Sequence, residues 1–416
     1  MNEKKIAILG LGYVGLPLAV NLSPHFKVLG FDISNERVKE LKLGIDKTLE
    51  VEKKVLKKAL NKNLKITDKF KDLIKCNVFI ATVPTPIDNK NRPDLKPLKS
   101  VCKIIAGLLK KGDIVVFEST VFPGATEEIC AKELEKNKKK LKSGVDFFLG
   151  YSPERVNPGD KEHTIDKINK VVSGQNSDVE RALLDIYSKL TLGKIYLAKN
   201  IKVAEASKVI ENAQRDINIA FINEVTKICS KLGISVYDVL EASKTKWNFL
   251  PFSPGLVGGH CIGVDPYYLS HKATQLKINP NVILSGRKTN DQMPKFVAQQ
   301  IKIKLEKNAK VLFLGFTFKE DVPDLRNSKS IELLKILKSL NIKIDTFDPF
   351  VSLSNFNNID FGKVVNHTYD GVIISVPHSF FIEKINTIKK FLKPKGTIFD
   401  IKGVLKKRDL ENYWSL

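Results

Sequence analysis

Cys261 differs from the other four cysteines of the chain in the residues that surround it. It lies in the stretch Gly258–Asp265, which reads Gly-Gly-His-Cys-Ile-Gly-Val-Asp. Glycines allow a ligand to approach the backbone closely, and a carboxylate follows the cysteine. A lone cysteine is more often a small buried apolar residue. We expect that role for the other four: Cys76, Cys102, Cys130 and Cys229. We interpret Cys261 as a nucleophile for covalent catalysis and the adjacent His260 as structural.

A glycine-rich turn near the N-terminus has the spacing of a dinucleotide-binding fingerprint. Residues 10–15 read Gly-Leu-Gly-Tyr-Val-Gly between a predicted strand and a predicted helix. The first glycine makes the tight turn, the second lets the backbone approach a pyrophosphate, and the third lets the helix pack against the strand. The N-terminus of the helix then receives the negative charge. The alternative is a purely structural turn.

An acidic residue after the next strand makes the prediction more specific. Asp32 ends the second predicted strand, where a carboxylate accepts hydrogen bonds from the adenosine ribose and disfavours the extra phosphate of NADP. The sequence therefore predicts NAD as the cofactor. The residues that we expect to bind it at this turn are Gly10, Gly12, Tyr13, Val14, Gly15 and Asp32.

Two further loops follow predicted strands of the same sheet. They are Thr82–Pro86, which reads Thr-Val-Pro-Thr-Pro, and Glu118–Gly124, which reads Glu-Ser-Thr-Val-Phe-Pro-Gly. Ligands of open parallel sheets bind at the carboxyl ends of the strands. We expect both loops to line the cofactor, although ordinary turn chemistry would give similar compositions.

Two pairs of polar residues are candidates for binding negative charge. Lys208 and Asn212 are four residues apart on a predicted helix, so they share a face and can stabilise an oxyanion. A solvated helix flank is the alternative for this pair. Lys319 and Arg326 lie between a later strand and its helix, where they can clamp a diphosphate.

The elements that position these residues alternate between short apolar runs and amphipathic stretches. Helices are predicted at Asn35–Leu43 and Glu50–Leu60. Buried strands are predicted at Ile6–Leu9, Val28–Phe31, Val78–Thr82, Ile114–Phe117 and Phe147–Leu149. This alternation is typical of an α/β fold with a parallel, doubly wound sheet.

A second copy of the pattern follows residue 305. Four segments recur in the same order: Ile6–Gly10 as Val311–Gly315, Gly30–Asp32 as Thr346–Asp348, Ile80–Pro84 as Ile373–Pro377, and Lys111–Ile114 as Lys395–Ile398. Because four matches in register are hard to explain by chance, we predict two Rossmann-like parallel-sheet domains.

A long central helix is predicted between the two copies. The stretch Ile201–Leu232 contains neither proline nor glycine and carries apolar residues at helical spacing. We expect it to pack against both domains or against a second subunit. The following Trp247–Tyr268 is rich in glycine, proline and aromatic residues, which indicates a functional loop. The predicted division is 1–199 for NAD binding, 200–304 for a central helical region with the catalytic loop, and 305–416 for the second sheet.

The composition disfavours several other classes of protein. With 416 residues and 43% hydrophobic content, the chain can form more than one core. The formal charge is +23, but the lysines are spread along the whole chain, which argues against a nucleic-acid partner. The cysteines lack metal-ligand spacing, so we expect neither a zinc site nor a disulfide framework. No apolar run approaches the ~20 residues that span a bilayer. We therefore expect a cytoplasmic protein.

Taken together, these motifs resemble the UDP-glucose/GDP-mannose dehydrogenase family over essentially the whole chain. The matching segments are Gly10–Ala19, Val83–Pro86, Glu118–Gly124, Ser152–Arg155, Glu211–Asn212, Gly258–Cys261 and Gly315–Ser328. The loop around Cys261 is similar to that of the branch that oxidises UDP-N-acetylglucosamine or UDP-N-acetylgalactosamine for bacterial surface polysaccharides. UDP-N-acetylmannosamine is the nearest alternative substrate, and UDP-glucose a more distant one.

The resemblance also implies roles for individual residues. It implies NAD contacts from Val14, Asp32, Arg37, Thr85 and Thr120, and a catalytic water beside Glu154 and Thr120. It implies that Lys208, Asn212 and Asp265 surround the sugar C6 and that Cys261 is the nucleophile. The residues implied to bind the UDP-sugar are Glu154, Arg155, Lys208, Asn212, Gly258, Lys319 and Arg326.

The reaction implied is a four-electron oxidation by way of a thioester on Cys261. The chain is expected to be at least a dimer, and the resemblance implies dimerisation through residues 200–304 and UDP binding by residues 305–416. Two rival functions are a β-hydroxyacid dehydrogenase that stops after one hydride transfer and a non-catalytic sensor of NAD or of a nucleotide sugar. Neither rival requires the cysteine.

Overall fold

The computed structural model describes residues 3–157, 159–160, 162–405 and 412–416, and the chain forms two compact units. The first unit comprises Met1–Glu211 and Tyr267–Asn279, and the second comprises Asn212–Pro266 and Pro280–Leu416. Within the described residues, none of the helices combines the length and the apolarity that are needed to cross a bilayer.

The first unit is built on an eight-stranded sheet. Its strands are β1 (Lys5–Leu9), β2 (Lys27–Phe31), β3 (Leu64–Thr67), β4 (Val78–Ala81), β5 (Ile114–Phe117), β6 (Phe148–Tyr151), β7 (Lys170–Gly174) and β8 (Ile195–Leu197). Their order is β3-β2-β1-β4-β5-β6-β7-β8, and the strands run parallel except at the antiparallel pair β6 and β7. The predicted parallel, doubly wound sheet is confirmed, and the antiparallel pair involves β7, a strand that the sequence analysis did not predict.

Helices cover the central strands of this sheet. They are α1 (Gly15–Leu22), α2 (Asn35–Lys42), α3 (Lys53–Leu60), α4 (Lys96–Ala106), α5 (Ala131–Leu134) and α6 (Ser177–Ser188). From Ile6 to Leu9 the side chains of β1 are fully buried, because helices lie on both faces of a parallel sheet. Short 3₁₀ and π-helical segments occupy Phe70–Lys75 and Thr126–Cys130.

The predicted central helix is present as α7 (Ile201–Leu232). The boundary between the two compact units falls within it, after Glu211. Further helices are α8 (Val236–Lys244), α9 (Asp265–Gln275), α10 (Asn281–Asp291) and α11 (Met293–Lys304). Because α9 begins at Asp265, the last four residues of the predicted loop Trp247–Tyr268 are helical instead. Pro266 is tolerated there because the first turn of a helix does not need its missing N–H.

The second unit contains a six-stranded sheet whose neighbouring strands run parallel. The strands are β9 (Lys310–Leu314), β10 (Lys343–Phe347), β11 (Asn357–Asn358), β12 (Tyr369–Ile374), β13 (Leu392–Asp400) and β14 (Tyr413–Ser415). The helices are α12 (Lys329–Ser339), α13 (Ser379–Glu383) and α14 (Ile385–Phe391), with a 3₁₀ turn at Phe361–Lys363.

The two sheets repeat one connectivity, as the sequence predicts. The order β11-β10-β9-β12-β13 reproduces β3-β2-β1-β4-β5. The loop after the first strand of each copy is held in the same way. Leu11 N–H donates to the Asp32 carboxylate over 2.8 Å, and Phe316 N–H donates to the Asp348 carboxylate over 2.9 Å. In the second copy alone, the ring of the fully buried His378 lies 3.0 Å from the same Asp348 oxygen.

Candidate active site

The three glycines of the first loop have distinct roles in the structure. Gly10 has a positive φ of 101° and its N–H donates to Phe31 O over 2.8 Å, which makes the tight turn. A Cβ on Gly15 would lie 1.8 Å from Gly10 O, so this glycine allows the helix to pack against the strand. A Cβ on Gly12 would meet nothing within 4 Å. This open backbone, at the N-terminus of α1, fits a diphosphate group.

Asp32 fixes the shape of this loop. One oxygen of its carboxylate accepts from Leu11 N–H, and the other accepts from Ser34 N–H over 2.9 Å. The side chain remains half-buried, so the carboxylate is accessible to a ribose. The structure therefore fits the NAD-binding role predicted for this residue.

The guanidinium of Arg37 stabilises the same loop. Its Nε donates to Leu11 O over 2.9 Å, and its Nη2 lies 2.8 Å from the Asp46 carboxylate. Burial raises the pKa of Asp46, but the hydrogen bonds from Thr48 and the Arg37 charge outweigh this effect and lower it overall. Arg37 thus links the glycine loop to Asp46.

The loops after β4 and β5 are tied to the glycine turn and to each other. Thr82 Oγ1 donates to Gly10 O over 2.7 Å, and Ser119 Oγ donates to Val83 O over 2.6 Å. Thr85 and Thr120, both predicted NAD contacts, are half-buried in these loops. Because β1, β4 and β5 are parallel neighbours, their carboxyl ends share one edge of the sheet.

A buried carboxylate that the sequence analysis missed holds the loop after β5. Glu205, on α7, is fully buried and accepts hydrogen bonds from Gly124 N–H over 2.5 Å and Thr126 N–H over 2.8 Å. Burial raises the pKa of Glu205 to about 7. The sequence offered one signal of this role, namely an acidic residue on the apolar side of the predicted central helix.

Glu154 and Lys208 are brought together in the first unit. Both side chains are buried, and the charge of Lys208 is one of the contributions that lower the pKa of Glu154 against the opposing effect of burial. Arg155, the next residue, forms an ion pair with Glu211 at 2.9 Å and is partly exposed. Lys208 is therefore not part of a solvated flank, which was the alternative for this residue.

In the second unit, Cys261 lies in the turn that precedes α9. All five cysteines are described; four are buried, Cys261 is partly exposed, and none is in a disulfide. The N–H groups of Val264 and Asp265 donate to Cys261 O over 3.0 and 2.9 Å, which fixes this turn. The buried carboxylate of Asp265 accepts a short hydrogen bond from Asn212 Nδ2. Three predicted site residues are thus placed on two neighbouring elements of one unit.

The residues that precede Cys261 pack tightly. A Cβ on Gly258 would lie 2.5 Å from Asn327 O, and Gly259 has a positive φ of 82° against the ring of Phe318. The His260 ring packs edge-on against Phe318, with 5.5 Å between centroids. This packing supports a structural role for His260.

The predicted diphosphate clamp lies in the loops after β9. Both Arg326 Nε contacts to the Asp324 carboxylate measure 3.0 Å, and the Arg326 side chain remains 49% exposed. Lys319 is half-buried in the preceding loop. Asp324 thus orients Arg326 while leaving half of its surface accessible to a ligand.

Three models of one protein family match consecutive parts of this chain. The UDP-glucose/GDP-mannose dehydrogenase family provides them: its NAD binding domain matches residues 4–191, its central domain 202–292 and its UDP binding domain 312–407. The first of these matches contains the glycine loop and Asp32, so the prediction of NAD as the cofactor is confirmed.

Individual relatives match almost the full chain. A UDP-N-acetyl-D-glucosamine 6-dehydrogenase from Pseudomonas aeruginosa is 49% identical, over 97% of this chain and 98% of its own. A protein of the same name from Salmonella typhi is 45% identical, over 97% of each chain. The structure of a UDP-D-ManNAc dehydrogenase from Pyrococcus horikoshii matches with a TM-score of 0.88 at 31% identity, over 99% of this chain and 98% of that one.

Substituting alanine at two of the glycines should separate binding from folding. We expect Gly15→Ala to lower the unfolding free energy by about 3 kcal/mol or more, because its Cβ would overlap Gly10 O. Gly12→Ala should unfold like the wild type and bind NAD at least about tenfold more weakly, because the methyl group occupies the space for the phosphates. Thermal unfolding in the absence of cofactor tests the stability of both variants, and titration with NAD tests their affinity. Equal NAD affinity of Gly12→Ala and the wild type would contradict this assignment.

Glu205→Gln should flatten the pH dependence of stability. In the folded chain the carboxyl keeps its proton up to a pKa of about 7, whereas the unfolded chain releases it near 4.5. The raised pKa of Glu205 therefore contributes to the unfolding free energy below pH 4.5, and this contribution is lost as the pH rises through 7. It corresponds to about 3 kcal/mol of unfolding free energy. Unfolding midpoints from pH 4 to 8 measure this contribution. Glu128→Gln, at an exposed position, is the control. A pH profile of Glu205→Gln identical to that of the wild type would refute the raised pKa of Glu205.

Proposed function

The chain belongs to the UDP-glucose/GDP-mannose dehydrogenase family, and we propose that it oxidises the C6 hydroxyl of a UDP-N-acetylhexosamine to a carboxylate. The family consists of NAD-dependent nucleotide-sugar dehydrogenases, and its substrate here is a UDP-sugar. The names of the relatives with higher identity support UDP-N-acetylglucosamine as that sugar, with its C4 epimer as the second candidate. The setting of Cys261, partly exposed beside Asp265 at the start of α9, is the observation that carries the proposal.

The proposed chemistry removes four electrons from one carbon. NAD, when bound, accepts a hydride, and two equivalents are consumed in succession. Loss of the first hydride and of the hydroxyl proton gives an aldehyde, to which the Cys261 thiolate adds to form a thiohemiacetal. Loss of a second hydride and of the thiohemiacetal hydroxyl proton gives a thioester. Water then hydrolyses the thioester to the carboxylate and regenerates the thiol.

The remaining site residues stabilise charge and move protons in this scheme. Lys208 and Asn212 donate to the oxygen that becomes negative as the thiolate adds. Asp265 and Glu154 orient water or transfer protons, and Thr120 binds that water. Gly258 lets the backbone approach the substrate.

The diphosphate and the cofactor are held by residues outside this reacting group. We assign the UDP diphosphate to Lys319 and Arg326, since Arg326 is already oriented by Asp324. Arg155 is a further substrate-binding residue. Tyr13, Val14 and Arg37 complete the proposed NAD site around Gly12.

The cellular setting is also proposed. α7 carries exposed apolar side chains at Ile210 (51%), Phe221 (61%) and Ile228 (53%), which supports a homodimer or higher homo-oligomer that packs on this helix.

We propose a cytoplasmic location and a supply of sugar acid for surface polysaccharides. The division at residues 199 and 304 remains a proposal.

The yield of NADH per sugar distinguishes the thioester route from a single oxidation. With UDP-N-acetylglucosamine, we expect two NADH per substrate and the uronic acid as product. A panel that includes UDP-N-acetylgalactosamine, UDP-N-acetylmannosamine and UDP-glucose identifies the preferred sugar by kcat/KM. A yield of one NADH with an aldehyde product would exclude the proposed route.

Replacing the nucleophile should remove acid formation but not binding. We expect Cys261→Ser to lower the rate of acid formation by about 10³-fold or more, because the serine hydroxyl stays protonated near neutral pH and is a far poorer nucleophile than the thiolate. NAD and UDP-sugar affinities should change little. The matched control is Cys76→Ala, a buried cysteine before β4. Full activity of Cys261→Ser would instead favour a non-covalent enzyme, and the absence of NADH formation by the wild type would favour a sensor.

A further inference from the structure

A fully buried lysine lies between two carboxylates in the first unit. Lys170 is the first residue of β7, and its side chain has no exposed surface. Its Nζ lies 3.0 Å from Glu118 Oε2 and 3.3 Å from Glu154 Oε2. A buried charge is costly unless it is paired and hydrogen-bonded. Packing alone therefore does not explain a lysine at this position, and the paired carboxylates indicate a role for it.

The orientation of the Glu154 carboxylate is fixed at both oxygens. Oε1 accepts from the N–H groups of Arg155 over 2.6 Å and Val156 over 2.7 Å. Oε2 accepts from Lys170, whose ammonium also reaches Pro153 O at 3.5 Å. Rotation of the carboxylate would break at least one of these contacts.

Glu118 is held on the opposite side of the ammonium. Its Oε1 accepts a hydrogen bond of 2.5 Å from Tyr187 Oη, and its Oε2 binds Lys170. Glu118 directly follows β5, Glu154 lies in the loop after β6 and Tyr187 lies on α6, so residues from three parts of the first unit surround Lys170. Together, Glu118, Glu154, Lys170 and Tyr187 form one buried cluster.

We propose that Lys170 is a positioning residue that keeps the Glu154 carboxylate ionised and correctly oriented for its part in the oxidation. The inference rests on the proposed function, in which Glu154 orients water or transfers a proton. An ionised carboxylate can accept a proton from water, whereas a protonated one cannot. Lys170 acts through Glu154 and is not assigned a contact with the substrate.

The charges that face Glu154 support this role. Lys170 approaches from β7, Lys208 from α7 and Glu118 from β5, while Tyr187 contributes a neutral hydroxyl from α6. Burial raises the pKa of Glu154, but the charge of Lys170 and the two backbone hydrogen bonds outweigh it and lower the pKa overall. Burial raises the pKa of Glu118, and there burial prevails. Both Glu154 oxygens also accept hydrogen bonds, from two backbone N–H groups and from the Lys170 ammonium, which is the arrangement that an ionised carboxylate favours.

The acidic limb of the pH dependence of kcat/KM tests the proposal. In Lys170→Met we expect that limb to move up by about one pH unit or more and kcat to fall at least about tenfold. The KM for the UDP-sugar should stay within about twofold. Lys170→Arg keeps the positive charge and should restore most of kcat. An unshifted limb in Lys170→Met would overturn the proposal.

A double variant separates positioning from folding. Lys170→Met leaves two buried carboxylates facing each other and destabilises the chain on that account. Glu118→Gln combined with Lys170→Met removes that repulsion, while Glu118→Gln alone keeps the ion pair of Lys170 with Glu154. We expect the double variant to recover most of the unfolding midpoint that Lys170→Met loses but to keep the raised acidic limb. Recovery of both properties would assign Lys170 a structural role only and overturn the inference.

A spectroscopic readout distinguishes failure of this inference from failure of the proposed function. With ¹³C-labelled glutamate, the infrared band of the protonated Glu154 carboxyl, identified by its loss in Glu154→Gln, can be titrated without turnover. It should appear at higher pH in the double variant than in Glu118→Gln alone. Equal titration in the two variants would refute the role of Lys170. Full acid formation by Glu154→Gln would instead remove Glu154 from the proposed mechanism, whatever the titration shows.

Discussion

The close approach of two backbone segments at Gly15 is the constraint on which the cofactor edge of the first sheet depends. A side chain there would overlap Gly10 O and come within 2.4 Å of Thr82 Oγ1. Because no side chain intervenes, α1 begins directly behind the loop and its N-terminus points to the edge where β1, β4 and β5 end. The hydroxyl of Thr82 and the carboxylate of Asp32 then fasten the loop from two sides. Backbone packing and these two hydrogen bonds therefore set the geometry at this edge, and the side chains that act on ligands lie in the loops after β4 and β5.

Much of this organisation could be predicted from the sequence because it depends on local patterns. The 32 residues of α7 contain no helix breaker, and their apolar periodicity gave both ends of the helix correctly. The repeat was recognisable because strand-loop patterns recur in the same order. Cys261 was distinguishable from four buried cysteines by the glycines beside it. These signals all lie within a few residues of the feature they predict.

Features that depend on distant partners or on short elements escaped the sequence analysis. β3 and β8 are edge strands of four and three residues, too short for a pattern to stand out. β7 begins with a lysine, which reads as exposed until its partners Glu118 and Glu154 are known. Glu205 is similar, because its hydrogen-bond partners lie about 80 residues away in the chain. An interior charge is interpretable only through the groups that compensate it, and those come from elsewhere in the sequence.

The duplicated loop architecture has one asymmetry with a kinetic consequence. Asp348 is 7% exposed and contacts His378 in addition to two backbone N–H groups, whereas the half-buried Asp32 has only the latter among its described hydrogen bonds. The second carboxylate is thus already occupied by the protein, whereas of the two only Asp32 is accessible to the ribose of a dinucleotide. Under the proposed reaction, spent cofactor must leave and fresh cofactor must arrive between the two oxidations. A sugar tethered through sulfur cannot diffuse away during that exchange, so covalent attachment serves as retention as much as activation.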